Sequence, residues 1–168
     1  MAKYEIRSIA ISDWPKLKSI RLRALKNDPD AFGSAYAFES MQGDAYWQDW
    51  AAGSSVSGRR LTALAQSNQT DIGMGGAKRE GHAVEIVALW VDPGFRRIGV
   101  ALRILDFIRN VMPASSHFLW VNANHAAAIA LYARAGFRDT GMRQSLPRDP
   151  NVLEMKMEIG AEIRNQTR

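Results

Sequence analysis

The stretch "VDPGFRRIGVALRILDFI", Val91 to Ile108, decides how this chain folds. Its second half reads as an amphipathic helix. Val100, Ile104, Ile108 and then Val111 follow one stripe, Ala101, Leu105 and Met112 lie beside it, and Arg103, Asp106 and Asn110 lie opposite. Its first half closes a strand with Asp92-Pro93-Gly94 and then sets Arg96, Arg97 and Gly99 where the helix begins. A helix N-terminus already carries partial positive charge, so two arginines beside it call for something negative. The first four N–H groups of the helix have no partner inside it. Gly99 admits a ligand to the backbone without a side-chain clash, and Ala101 keeps the next approach open. Such a turn is an anion site, with phosphate the usual occupant, and the guanidinium forks add donors. Read alone, the turn also fits a plain strand-to-helix connection with two solvated arginines. Neither G-x-x-x-x-G-K-S/T nor G-x-G-x-x-G occurs in the chain.

On either side the pattern alternates between periods. "AVEIVALWV" (83–91) carries the strongest strand signal, and strict alternation puts Glu85 on one face with Val87, Leu89 and Val91. Upstream, "KYEIRSIAI" (3–11) predicts a first strand. The helix "SDWPKLKSIRLRALKND" (12–28) follows, capped by Ser12 or Asp13 and broken by "DPDAFG". A second helix (44–53), a loop "SSVSGRR" (54–60) and strands at "RLTALAQ" and "IGMGGAKRE" come next. The glycines of "GMGGAK" (73–78) open no helix and predict a strand packed closely against another element. Downstream come a strand "SHFLWVNA" (116–123) and an Ala-rich helix "NHAAAIALYARAGF" ended by Gly136. Two strands near 138–144 and 151–159 flank the loop "SLPRDP". A meander followed by βαβ crossovers predicts a mixed α/β fold, with a central sheet of about seven strands flanked by about four helices on both faces.

Composition narrows the chemistry. At 168 residues one domain, 1–168, is the default. With 46% hydrophobic and 23% charged residues the chain reads as soluble and globular. It has no cysteine, which excludes disulfides, thiolate metal sites and a cysteine acyl-enzyme. No His/Asp/Glu spacing suggests a metal site. The N-terminus lacks a signal-peptide core, and no apolar run approaches the ~18 residues of a membrane span, so a cytoplasmic protein is expected. The net charge of +5 favours anionic partners, but the charges are spread along the chain, which weakens a nucleic-acid reading.

Two segments carry a family resemblance. "LWVDPGFRRIGVALRILDFI" is similar to the signature of the GNAT family of N-acetyltransferases, in which a V-x-P-like turn is followed by Q/R-x-x-G-x-G/A opening a helix. Here Arg96, Gly99 and Ala101 match, with Ala101 where many members have glycine. "NANHAAAIALYARAGF" resembles the family's later motif, N-x-x-A-x-x-L-Y-x-R/K-x-G-F. The matches are Asn124, Ala127, Ala130 with Leu131, Tyr132, Arg134, Gly136 and Phe137. The resemblance implies a GNAT-like fold with acetyl-CoA as co-substrate. Its pyrophosphate would lie on Arg96, Arg97, Ile98, Gly99, Val100 and Ala101. Its pantetheine would run along Leu89, Trp90 and Val91, with further contacts at Asn124 and Ala127 and a CoA phosphate within reach of Arg134.

Acetyl transfer to an amine needs a base for the amine, stabilisation of the carbonyl oxygen and a donor for the departing thiolate. The resemblance makes Tyr132 the acid. A phenol of pKa near ~10 is protonated at neutral pH; without the motif, Tyr132 would read as a core tyrosine. Glu85 is the candidate base, since a carboxylate on an apolar strand face needs a partner or a role; His82 is a weaker alternative. His125 is expected to be exposed, and Asn124 to cap its helix. Acceptor recognition is expected from 32–58 and the loop near 145–150. There Glu39, Asp44 and Asp49 could attract a cation, and Tyr46, Trp47 and Trp50 could wall a pocket or belong to the core. The expected activity is direct transfer from acetyl-CoA to a primary amine in a ternary complex, with no metal, nucleic acid or membrane involved. Two rivals stand: a CoA-binding sensor or subunit without catalysis, and a basic nucleic-acid-binding domain. Whether the chain forms a homodimer stays open, and the acceptor is not readable.

Overall fold

The computed structural model describes residues 3–55 and 58–160; the expected loop at 54–60 lies partly outside them. Strand β1 (Glu5–Ser8) leads into α1 (Trp14–Asn27), the short α2 (Tyr36–Glu39) and α3 (Asp44–Ser55). Strands β2 (Arg60–Ser67), β3 (Thr70–Glu80) and β4 (Ala83–Val91) form a meander. The crossovers follow: α4 (Val100–Val111), β5 (Ser116–Asn122) and α5 (Ala126–Arg134). The chain then forms β6 (Arg138–Leu146) and β7 (Asp149–Gly160). The sheet has seven strands in the order β1-β2-β3-β4-β5-β7-β6, and β4 and β5 form its parallel pair. The sequence-based expectation of about seven strands with helices on both faces holds.

Local chemistry explains the connections. Asn68 and Gln69 both take left-handed φ, the requirement of a two-residue hairpin between β2 and β3. Gly136, at φ +94°, ends α5, and the Phe137 N–H reaches back to the Tyr132 carbonyl at 3.0 Å. The glycines of β3 do what the sequence suggested. A Cβ at Gly75 would lie 2.5 Å from Ile104 Cγ2, so glycine lets α4 press directly on the sheet. That face buries Ile104 and Ile108 of α4, and Met112 at its C-cap, against Leu119, Val121, Met155 and Met157. The opposite face buries Leu17, Ile20 and Leu25 of α1 and Trp47 of α3 against Leu64, Met74 and Trp90. Val111, expected on the helix stripe, is 47% exposed, because Leu105 and Met112 complete the inner face instead.

The sheet forks at its centre. β4 and β5 pair in register only at Ala83 with Ser116, Val84 with His117 and Glu85 with Phe118, and then diverge. The cause is in β4. β3 pairs Gly76 with Val87 and then Met74 with Trp90, so β4 carries one extra residue, and Ala88 takes φ +54° to accommodate it. This bulge corrects the expected alternation. Val84 and Ile86 point to the α4 side before it, and Leu89 and Val91 after it, while Ala88 and Trp90 join the α1 side. Glu85 therefore shares its face with Val87 and then Ala88 and Trp90, not with Leu89 and Val91.

Candidate active site

The fork opens into a cavity of about 510 Å³. Its walls are the free edge of β4, the turn into α4, the end of β5 and the inner face of α5, with Asp28 and Ala31 closing over it from the α1–α2 segment. Eleven of the fourteen expected site residues line this one space: Leu89, Trp90, Val91, Arg96, Arg97, Gly99, Val100, Ala101, Ala127, Tyr132 and Arg134. Three others do not line it. Ile98 is 48% exposed at the turn, Asn124 is exposed, and Glu85 lies on the other face of the sheet. Trp120 and His125 line the cavity without having been expected to.

The turn has the form an anion site requires. Arg97 and Gly99 both adopt left-handed φ, +64° and +89°. The first backbone bond into α4 runs from Arg103 N–H to the Gly99 carbonyl, so the N–H groups before it are unclaimed by the helix. A Cβ on Gly99 would meet nothing nearer than Tyr4 Oη at 3.8 Å. Conformation, not crowding, calls for glycine there.

The two arginines divide the work differently from expectation. Arg96 folds back as a strut, its Nη2 2.6 Å from Asp28 Oδ2 and its Nε donating to the Val91 carbonyl at 2.9 Å. Trp90 Nε1 donates to the same carboxylate oxygen at 2.7 Å. Arg96 thus ties the end of β4 to the end of α1, and Arg97 is left facing solvent at the turn.

On α5 the expected cap is corrected by one residue. His125 is the N-cap, and its Nδ1 accepts the Ala128 N–H at 3.2 Å. The Asn124 N–H donates to Asn122 Oδ1 at 2.9 Å, and Asn124 is exposed and does not line the cavity. Counting back seven residues from Tyr132, two helical turns, reaches His125; that spacing was present in the sequence. The Tyr132 ring meets Phe137 edge-on at 6.1 Å, and burial pushes its phenol pKa up to about 12. Among the described residues its hydroxyl has no hydrogen-bond partner.

Glu85 stands at the vertex of the fork, in the last register pair of β4 with β5. Its carboxylate is 2.7 Å from Lys78 Nζ, and that hydrogen bond raises the lysine's pKa. Beside it, Lys156 Nζ sits 4.3 Å over the Phe118 ring. The acceptor region is largely committed to structure. Glu39 is buried in an ion pair with Arg21, Trp47 is fully buried, and Asp44 pairs with Lys18. Arg148, in the β6–β7 turn, donates to the Phe32 and Pro29 carbonyls at 3.0 and 2.7 Å, fastening that turn to the α1–α2 segment. Among the described residues no helix is long and apolar enough to cross a membrane.

Comparison with known proteins agrees with this architecture. The chain superposes with a TM-score of 0.79 on a GNAT-family acetyltransferase from Streptococcus pneumoniae, at 15% identity, covering 94% of this chain and 99% of that one. A putative acetyltransferase from Salmonella typhimurium, solved with its cofactor acetyl-CoA, gives 0.74 at 14% identity over 94% of each chain. The ribosomal-protein-S18-alanine N-acetyltransferase from Escherichia coli gives 0.68 at 17% identity over 99% of each. An uncharacterized protein of Mycobacterium leprae is 32% identical over 83 residues, which are 47% of this chain and 23% of that protein's length. The chain thus spans about a quarter of the curated relative it matches. The sequence model of the acetyltransferase (GNAT) family matches residues 14–137, from the start of α1 to the end of the tyrosine motif, and the chain belongs to that family.

Proposed function

We propose that this acetyltransferase moves an acetyl group from acetyl-CoA directly to a primary amine, as a single cytoplasmic domain. One observation carries the reading: a row of unclaimed N–H groups at the α4 turn opens into the same forked cavity as Tyr132. A diphosphate joined to an extended thioester arm fits both halves of that space. Bound there, acetyl-CoA would supply an acyl carbonyl activated by its thioester. The N–H groups of the turn and the Arg97 guanidinium would hold the pyrophosphate. The edge of β4 at Leu89 and Val91, left without a strand partner by the fork, would pair with the amides of the arm. Val91 would offer its N–H first, since its carbonyl already accepts from Arg96 Nε. Tyr132 would donate to the departing sulfur. Glu85 would take the amine's proton through a water, from the face of the sheet opposite the cofactor. With no cysteine in the chain, no thiol acyl-enzyme competes with direct attack.

A thermal-shift measurement with acetyl-CoA, followed by an amine panel read out by free thiol, tests the reading. Ligand at ~100 times its dissociation constant adds about 2.7 kcal/mol of stability, and no shift at saturation would rule the proposal out. Gly99→Val should weaken acetyl-CoA binding by at least about tenfold, because a β-branched residue at left-handed φ costs roughly 1–2 kcal/mol, which pulls the turn out of its conformation, and its side chain takes the open space left for the ligand. Unchanged affinity would mean that the turn does not hold the pyrophosphate. Glu85→Gln should lower turnover by about 10²-fold while leaving CoA affinity intact. Turnover unchanged in the variant would assign the proton to another group.

A further inference from the structure

The fork is a passage through the sheet. Val91 and Tyr132 line it from the α4 side, and Trp90, Asp28 and Ala31 line it from the α1 side. On the proposed reading the cofactor fills the α4 side, so the amine comes from the α1 side, where Glu85 stands. Hydrogen bonds close the rim of that side. From the end of β4 and the turn after it, Trp90 Nε1 and Arg96 Nη2 both reach Asp28 Oδ2, at 2.7 and 2.6 Å. From Asp28 the chain runs through Pro29 to Phe32, whose ring is buried beneath the Arg21 guanidinium. There Arg148 takes over, its Nε on the Phe32 carbonyl and its Nη2 on the Pro29 carbonyl. Arg148 belongs to the turn that opens β7, and β7 returns to β5, which it pairs from Asn122 with Glu154 onward.

The topology sets the height of this ring. Residues 149–152 of β7 run past its last pair with β5, about 13 Å of strand, at the end of the sheet where the fork opens. The β6–β7 turn therefore overhangs the fork. Leu146 is buried at its foot, with Cδ1 3.9 Å from where Gly33 would carry a Cβ. Two sides of the ring are strands of the sheet, with Glu85 where they meet. The other two are side-chain links. Asp28 is held by two donors, whereas Arg148 supplies both of its bonds from one exposed side chain. Replacing Arg148 opens the ring without touching β4 or the α4 turn.

We infer that Arg148 is a specificity-determining residue: by closing the ring it selects acceptors whose amine sits on an unbranched carbon. Such an amine threads through nitrogen first, and a branched carbon beside the nitrogen meets the rim. This rests on the acetyl-transfer reading and adds the shape of the acceptor to it. The probes are n-hexylamine and cyclohexylamine, which differ in branching at the carbon that bears the nitrogen and little in size. Wild-type protein should favour the linear amine by at least about tenfold in kcat/KM, the range a shaped apolar site achieves. Arg148→Met keeps an apolar stem and loses both donors. It should shrink that preference to about twofold or less by raising kcat/KM for the branched amine. CoA binding, measured by calorimetry, should stay within about twofold, since the change is remote from the α4 turn. Hydrogen exchange should show Pro29–Phe32 and the β6–β7 turn loosening together. A merely structural role would lower both amines alike; that result, or an unchanged preference, would overturn the inference. So would wild-type protein that favours the branched amine, or that accepts neither probe while acetylating other amines. Should Arg148→Met fail to fold, Arg148→Lys, which keeps the charge but lacks the fork that spans both carbonyls, replaces it and must show the same shrinkage. If no amine of the panel releases thiol from acetyl-CoA, the transfer reading itself falls instead.

Discussion

Replacing Tyr132 with phenylalanine should lower turnover by about 10²- to 10³-fold, some 3–4 kcal/mol of barrier, while CoA affinity stays within about threefold. The change removes one hydroxyl and keeps the ring that packs on Phe137, so the cavity wall survives. On the proposed mechanism, what is lost is the donor facing the sulfur as the thioester breaks. Burial holds the Tyr132 phenol at about 12, above its ordinary value and well above a thiol near ~8.5. Complete proton transfer from so weak an acid to a thiolate is uphill. The hydroxyl is better suited to hold a hydrogen bond to the sulfur while charge builds, with the proton exchanged later with solvent. The same shift separates Tyr132 from any alkaline limb of the rate. A limb that falls between about pH 8 and 10 should persist in Tyr132→Phe, since the phenol is still protonated there. The stability sign agrees. The unfolded chain ionises this phenol near ~10 and the folded chain near about 12, so Tyr132 costs stability only as pH rises through that window. Chemical denaturation at pH 9 should therefore find the two proteins equally sensitive to pH. Turnover unchanged in the variant would remove Tyr132 from the chemistry.

What the sequence made legible follows from how local each signal is. The strand, turn and helix of 83–111 are written in adjacent residues, and β4 spans the residues expected of it. The glycines of β3 announced a close approach, and α4 makes it. The bulge at Ala88 was hidden, because an alanine at φ +54° looks like any strand residue and is imposed by pairing with β3. That single residue moved Glu85 to the other face and opened the fork. The placement of β7 between β5 and β6 was equally out of reach, since pairing across the sheet has no local signature. The second tie of Arg96 was out of reach for a related reason. Its partner Asp28 lies 68 positions away in sequence, and only the folded chain brings the two to 2.6 Å. The shift from Asn124 to His125 is different in kind. The residues were in view, and capping chemistry chose the imidazole over the neighbouring amide.

The buried pair beneath the acceptor side sets the largest effect expected on stability. Arg21 donates from Nε and Nη2 to the two oxygens of Glu39, at 2.9 and 2.8 Å, with side chains only 7% and 2% exposed. The guanidinium stacks over Phe32 at 4.8 Å and faces Trp50 at 5.6 Å, and its Nη1 is buried without a hydrogen-bond partner. Removing the carboxylate charge leaves a buried cation with aromatic faces as its remaining support. Glu39→Gln should cost about 3–5 kcal/mol, the usual result of stranding one half of a buried pair. At roughly 2–4 °C per kcal/mol for a chain of this size, the melting temperature should drop by about 6–20 °C. Glu39→Leu combined with Arg21→Met should recover most of that loss, because two apolar groups of similar volume need no partner. The pair also has a positional role. Glu39 closes α2, a single turn too short to persist without tertiary contacts, and α2 follows the segment whose Asp28 and Ala31 close over the cavity. Loss of the pair should therefore loosen the acceptor side first. Turnover should fall at temperatures where the fold is still intact, while CoA, proposed to lie against α4 and β4 on the other face, should bind nearly as before. A melting temperature within about a degree of the original protein would show that the aromatic faces alone suffice to hold Arg21.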